Sequence, residues 1–166
     1  PMHNIKTSMA QSYFFLNKQK KKKIGLCHGC FDIVHWGHIL HFTSSKKKCD
    51  FLIVTVTADK YVNKGPGRPI FSEGERAILL SGISYIDAVY VNRKSDSISI
   101  LKKIKPDFYF KGKEYQSKNQ KINKNFFLEK NVAKKNNIKI VYTKNKTSST
   151  TMVVNKLYDS SVANKN

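Results

Sequence analysis

Acidic residues are scarce in this chain of 166 residues: 11 Asp and Glu stand against 31 Lys and Arg, for a formal charge of +20. A charge so one-sided attracts polyanions, whether nucleic acid, anionic membrane or phosphorylated small molecules. The lysines nevertheless travel with asparagine and isoleucine through the whole sequence, a general drift of composition, and most are read as a solvated face. Long apolar runs are missing too. None reaches the length of a membrane span or a signal-peptide core, and hydrophobic residues make up only 40% of the chain, so a soluble, cytoplasmic protein is expected. Cysteine is limited to three, which excludes a disulfide scaffold and fits a reducing compartment. The length suits one domain with a real core and leaves little room for a second.

What is present is an alternation of strand-like and helix-like stretches. Residues 1–23 lack any period, apart from a short aromatic stretch at Ser12–Leu16, and end in Lys18-Gln19-Lys20-Lys21-Lys22-Lys23, a basic leader. Residues 24–160 form the domain, and 161–166 a tail. Lys23 to His28 predicts a buried first strand ending at Gly29, followed by a helix starting near Val34 or His35. Phe51–Thr57 is apolar and β-branched without a polar face, which suits a central parallel strand covered on both sides. Lys64-Gly65-Pro66-Gly67-Arg68-Pro69 must be a loop. Ser72-Glu73-Gly74-Glu75 has capping-box spacing, so a helix should run from there to about Ser84. Further strands are predicted at Ile86–Val91, Asp107–Lys111 and Ile138–Tyr142, and helices at Ser97–Ile104, Phe126–Asn136 and from Ser149 to about Tyr158. Residues 116–125 read as a mobile loop. The order implies an α/β fold: one open parallel five-stranded sheet with helices on both faces.

The stretch His28-Gly29-Cys30-Phe31-Asp32-Ile33-Val34-His35-Trp36-Gly37-His38 carries the chemistry. His35 and His38 fall on one face of a helix N-terminus, where free N–H groups and the helix dipole favour an anion. They can donate to a polyphosphate and strengthen those bonds as charge develops. Cys27-His28-Gly29-Cys30 is a C-x-x-C, but it straddles a strand end rather than opening a helix, which argues against a dithiol redox centre. Combining it with the histidines into a zinc set requires side chains that a strand and its turn point apart, so no metal site is expected.

The motif resembles the signature of the cytidylyltransferase-like nucleotidyltransferases, which transfer a nucleoside monophosphate from an NTP to a phosphorylated acceptor. Lys64-Gly65-Pro66-Gly67-Arg68-Pro69 with Glu75-Arg76, then Lys111-Gly112-Lys113-Glu114-Tyr115, then Ser149-Thr150-Thr151, resembles in order the adenylyltransferase domain of ADP-heptose synthase. The resemblance implies a Rossmann-like nucleotidyltransferase fold and transfer of AMP from ATP to a sugar 1-phosphate such as a heptose 1-phosphate. A CTP-dependent cytidylyltransferase acting on glycerol 3-phosphate or another phosphorylated alcohol is the alternative, and a nonenzymatic RNA- or anion-binding module the alternative of another class. Specific nucleic-acid binding is not expected, because basic and aromatic residues are not interleaved as base stacking needs.

Residue by residue, His35, His38, Lys64 and Arg68 are implied in catalysis, the last two on a loop that closes over phosphate. Gly29, Cys30, Phe31, Gly37, Lys111, Gly112, Glu114, Ser149, Thr150 and Thr151 are implied in nucleotide binding. Asp32 would brace the turn. Arg76 either reaches the phosphates or pairs with an acid such as Glu73. Mg²⁺ accompanying the NTP and a homodimer are also implied. Lys113 and Glu114 depart from the Lys-Gly-Gly-Asp-Tyr usual in these enzymes, so the acceptor is expected to differ from the usual heptose. The sugar-kinase domain that often accompanies the module is absent from this sequence, so the acceptor must be phosphorylated elsewhere. A phosphate monoester is already mostly dianionic at neutral pH, so in-line attack needs positioning and charge stabilisation rather than a strong base.

Overall fold

A computed structural model describes residues 21–116 and 123–144. Its elements are β1 (Ile24–Gly29), α1 (Trp36–Lys46), β2 (Phe51–Thr57), α2 (Glu73–Ser81), β3 (Ala88–Asn92), α3 (Ile98–Ile104), β4 (Phe108–Gly112), α4 (Asn123–Lys135) and β5 (Lys139–Thr143). The strands form one five-stranded sheet in the order β3-β2-β1-β4-β5, every neighbouring pair parallel. The order reverses between β1 and β4, the position at which open α/β sheets bind ligands beyond the carboxyl ends of their strands.

Alternation along the strands explains the layers. On β2, Phe51 and Ile53 point into a core with Leu101 and Ile104 of α3 and Ala133 of α4. Leu52, Val54 and Val56 point the other way, to Phe42 of α1 and Leu80 of α2. A strand buried on both faces has no use for polar alternation, which is why this segment is continuously apolar. The scarce acids stand at the strand starts. Asp50, Asp87 and Asp107 accept from the backbone N–H groups of Lys23, Leu52 and Ile24 at 2.7 Å each, tying neighbouring strands in register.

The predicted elements are present with small shifts. The helix after the glycine-proline loop starts as expected, with Ser72 accepting from the Glu75 N–H and the Glu75 carboxylate accepting from the Ser72 N–H. The third strand begins at Ala88 rather than Ile86, because Ile86 turns into the core and the Asp87 N–H pairs with the Leu52 carbonyl. Helix α4 begins at Asn123, so residues 123–125 are helical rather than loop. Residues 1–20, the middle of the expected loop at 117–122, the helix expected from Ser149 and the tail lie outside the described residues. No helix among the described residues is long and apolar enough to cross a membrane.

Candidate active site

The turn between β1 and α1 builds the site. Phe31 has φ +49°, a left-handed conformation that costs a non-glycine residue about 1 kcal/mol and is tolerated where the surroundings over-determine it. Its ring packs edge-on against His38 and at a tilt against Phe42, with centroids 5.3 and 5.2 Å away. A Cβ at position 29 would lie 2.9 Å from that ring, so Gly29 makes room for the wedge.

His35 is the N-cap of α1, a place usually held by Ser, Thr, Asp or Asn. Its Nδ1 accepts the Gly37 N–H at 3.1 Å, and His38 Nδ1 accepts the His35 N–H at 3.3 Å. A ring nitrogen that accepts carries no proton, so both imidazoles are held as Nε2–H tautomers. The two rings lie 4.0 Å apart by centroid. Burial lowers the pKa of both, with Lys64 adding its charge, and His38 is pushed down to about 3. Each ring is therefore a neutral donor at physiological pH. His35 Nε2 is buried and has no hydrogen-bond partner in the protein.

Both histidines line a cleft of about 230 Å³ at the switch point, with Lys64 on one side and the Lys111–Tyr115 segment and Thr143 on the other. Gly29, Cys30, Phe31, Gly37, Lys111, Gly112 and Glu114 line the same cleft. Ser149, Thr150 and Thr151 lie outside the described residues.

The two arginines are placed otherwise than expected. The Asp32 carboxylate, buried, accepts the Ile70 and Phe71 N–H groups at 2.8 and 3.1 Å and pairs with Arg68 Nε at 2.6 Å. Arg68 is thus held against the motif rather than free to close over a ligand, its side chain 10% exposed and its Nη2 without a partner. It is not among the cleft-lining residues, whereas Lys64 on the same loop is. Of the two expectations for Arg76, pairing with an acid is the one the structure shows. It is 1% exposed and its guanidinium donates to the carbonyls of Phe71, Cys30 and Thr57 and to Asp59, not to Glu73. It clamps the Cys30 turn to β2 and α2. Glu73 instead pairs with Arg93 and accepts the Asp59 N–H.

Sequence reasoning missed His41, Thr143, Tyr115 and the role of His28. His41 continues the three-residue spacing of His35 and His38 on α1, and that spacing was the available signal. Its Nδ1 bonds the Thr143 hydroxyl at 2.7 Å, joining α1 to β5 inside the cleft, and burial pushes its pKa down to about 4. His28 Nδ1 bonds Thr55 at 2.8 Å, and burial together with the Lys111 charge lowers its pKa to about 4. Cys27 sits in the core bonded to Ser45, and burial pushes its thiol up to about 12, so it offers no thiolate for redox exchange. Among the described residues, no group of three or more His, Cys, Asp or Glu is arranged to hold a metal ion.

Comparison with known proteins agrees with this fold. The family model described as cytidylyltransferase-like matches residues 26–156. The bifunctional protein HldE of Campylobacter concisus is 36% identical over 118 residues, covering 70% of this chain and 25% of that protein. HldE of Campylobacter jejuni subsp. doylei is 40% identical over 105 residues, covering 62% and 23%. The chain therefore spans about a quarter of the length of these curated relatives. Among solved structures, the lipopolysaccharide core biosynthesis protein of Thermoplasma volcanium matches with TM-score 0.62 and 28% identity over 76% of this chain and 99% of its own. A pantoate-beta-alanine ligase from Francisella tularensis shares the fold at TM-score 0.56 and 16% identity, covering 83% of this chain and 66% of the ligase chain.

Proposed function

The chain belongs to the cytidylyltransferase-like family of nucleotidyltransferases, and from that premise we propose that it transfers AMP from ATP to a sugar 1-phosphate, such as a heptose 1-phosphate, with release of pyrophosphate. The observation that carries this reading is the pair of neutral imidazoles with Nε2–H donors at the switch-point cleft, one of them buried and unpartnered. The choice of ATP and of a sugar acceptor is supported by the resemblance to ADP-heptose synthase, by the HldE relatives and by the likeness to a lipopolysaccharide core biosynthesis protein.

An acceptor phosphate oxygen attacks the α-phosphorus in line. A bond forms to that phosphorus as its bond to the oxygen bridging to the β-phosphorus breaks, and pyrophosphate leaves with the electron pair. His35 and His38 donate to the phosphate oxygens on which charge grows, and Lys64 supplies the mobile positive charge at the cleft rim. Asp32 and Arg76 touch no substrate. They position the loop and the turn that do the binding.

Mg²⁺ takes oxygen ligands, and Glu114 is the single carboxylate among the described residues lining the cleft. Glu114 is the residue that would help hold an ion arriving with the nucleotide, and the ion would supply charge to offset the phosphates. A homodimer is part of the same reading. Phe71, Ile78 and Leu79 are exposed along one groove, an apolar surface that a second copy could cover. Size-exclusion chromatography with light scattering reads it, and a monomeric mass at working concentrations removes it.

The deciding experiment incubates the protein with each NTP and a panel of sugar 1-phosphates, glycerol 3-phosphate and phosphocholine and measures pyrophosphate. ATP with a sugar 1-phosphate is expected to react, and His38→Ala to lower kcat by roughly 100-fold or more, the scale of removing one transition-state donor. Silence across every pair would sink the transferase reading, and an undiminished His38→Ala would sink the assigned mechanism.

A further inference from the structure

Beside the phosphate cleft opens a second cavity of about 400 Å³, and the two share His28, Gly29, Cys30, Lys111 and Tyr115. A molecule filling the second cavity therefore presents one end to the phosphates bound in the first. At the back of this cavity Lys111 Nζ pairs with Glu129 at 2.8 Å. The same ammonium stands over the rings of Tyr109, Tyr115 and Phe126, 4.7, 4.4 and 5.3 Å from their centroids. Three aromatic faces and a carboxylate form the kind of box that holds an ammonium ion. Here the chain fills the box with its own side chain. Lys111 is 5% exposed, and the Glu129 carboxylate also accepts from the Tyr109 hydroxyl at 3.0 Å, which in turn meets Ser97 at 2.9 Å, so the lysine is anchored by a buried network and is no mobile nucleotide ligand.

What remains for a ligand is a set of hydrogen-bonding groups: the His28 imidazole, the hydroxyls of Thr57 and Ser95, the Asp96 carboxylate and the Asn125 amide. The lining thus offers both donors and acceptors, with Tyr115 and Phe126 as apolar surface, a combination suited to the hydroxyls and C–H face of a sugar ring.

We propose that this cavity holds the body of the acceptor, and that the caged Lys111 ammonium sets its class: a neutral, polyhydroxylated sugar phosphate is admitted, and a phosphoalcohol that carries an ammonium group is refused. The proposal rests on the transferase reading for the word acceptor, but the selectivity belongs to the cavity and is measurable without turnover. A cationic acceptor meets an occupied box and a like charge. Such juxtapositions cost enough for discrimination of roughly 100-fold. Lys111, which lines both cavities, is thereby a specificity-determining residue as well as the nucleotide-side residue that the resemblance implies.

The test uses the whole chain with α,β-methylene-ATP, which cannot be turned over, and titrates in mannose 1-phosphate or phosphocholine by calorimetry. Mannose 1-phosphate is expected to bind, with phosphocholine weaker by roughly 100-fold. Asn125→Leu, an exposed position whose new side chain narrows the cavity, should weaken mannose 1-phosphate by roughly 10-fold and leave the ATP analogue unchanged. Lys111→Met should shrink the discrimination against phosphocholine. Its melting temperature is followed alongside, and Asn125→Leu decides the location if Lys111→Met does not fold. Equal binding of the two ligands, no binding of mannose 1-phosphate, or an Asn125→Leu effect on the ATP analogue alone would each overturn the proposal. Selective sugar-phosphate binding without pyrophosphate release in the activity assay would sink the transferase reading and leave the cavity assignment standing. Turnover that favours phosphocholine would do the reverse.

Discussion

Replacing Arg76 by leucine separates two roles that the sequence leaves open. In the apo protein the guanidinium donates to three backbone carbonyls, those of Phe71 and Thr57 at 2.9 Å each and that of Cys30 at 2.5 Å, and pairs with Asp59. Leucine removes every donor. The Asp59 side chain is 40% exposed, so water takes up much of what the carboxylate loses, and that half of the pair is discounted. The carbonyls face a pocket vacated at a residue 1% exposed, where each unmet acceptor costs about 1–3 kcal/mol. With partial relaxation the loss is about 4 kcal/mol, within the range for breaking a buried charged network and a large share of a typical domain's ~5–15 kcal/mol. At ~2–4 °C per kcal/mol for a chain of this size, the melting temperature of the ligand-free protein should fall by roughly 8–16 °C. Because the Cys30 carbonyl is one of the anchors, the KM for the nucleotide should rise as well. Arg76→Lys should recover only part of this, since one ammonium cannot reach carbonyls in three directions. Thermal melting of the apo protein decides the matter. An Arg76→Leu variant that melts like the parent yet loses kcat would refute the clamp and return the residue to the phosphates.

Two further outcomes follow from the histidines. His35→Ala should lose about 1 kcal/mol of stability with its N-cap and also lose activity, whereas His35→Asn restores the cap but not the Nε2–H donor, so it should melt near the parent and remain impaired; an active His35→Asn enzyme would contradict the donor role. Stability should fall with acid earlier than carboxylate titration alone predicts: His28, His38 and His41 have folded pKa values of about 4, 3 and 4 against an ordinary 6.5, so below about pH 6.5 the unfolded chain takes up protons that the folded chain refuses, each histidine contributing a slope of up to about 1.4 kcal/mol per pH unit until its folded pKa is reached. Urea midpoints at pH 7.5 and 5.5 measure it, His41→Gln should flatten the slope, and equal midpoints would contradict the neutral, buried assignment.

The alternation of strand and helix was legible because each element carries its own period. Phe51–Thr57 announces a strand covered on both faces, and Ser72 with Glu75 announces a helix start, before any partner is known. The turn from Gly29 to His38 was equally plain, since glycine, acid and paired histidines sit within one short span of chain. Local chemistry of that kind survives in a linear reading.

Arginine and lysine did not. Arg68, Arg76 and Lys111 each stand in a stretch that looks like a phosphate contact, and the sequence cannot say whether such a cation faces a ligand or a carbonyl. Asp32 is 36 residues from Arg68, Cys30 is 46 from Arg76, and Asp59 is 17 from it. Glu129, which holds Lys111, comes from α4, the helix that follows β4. By itself the sequence determined the α/β alternation, the place of the turn from Gly29 to His38 and the identity of its histidines, because these depend on neighbours a few residues away. Only the tertiary structure decided which cations are free. A long flexible charge is satisfied by whatever acceptor the fold carries to it, and that partner is chosen by the packing of the sheet and its helices.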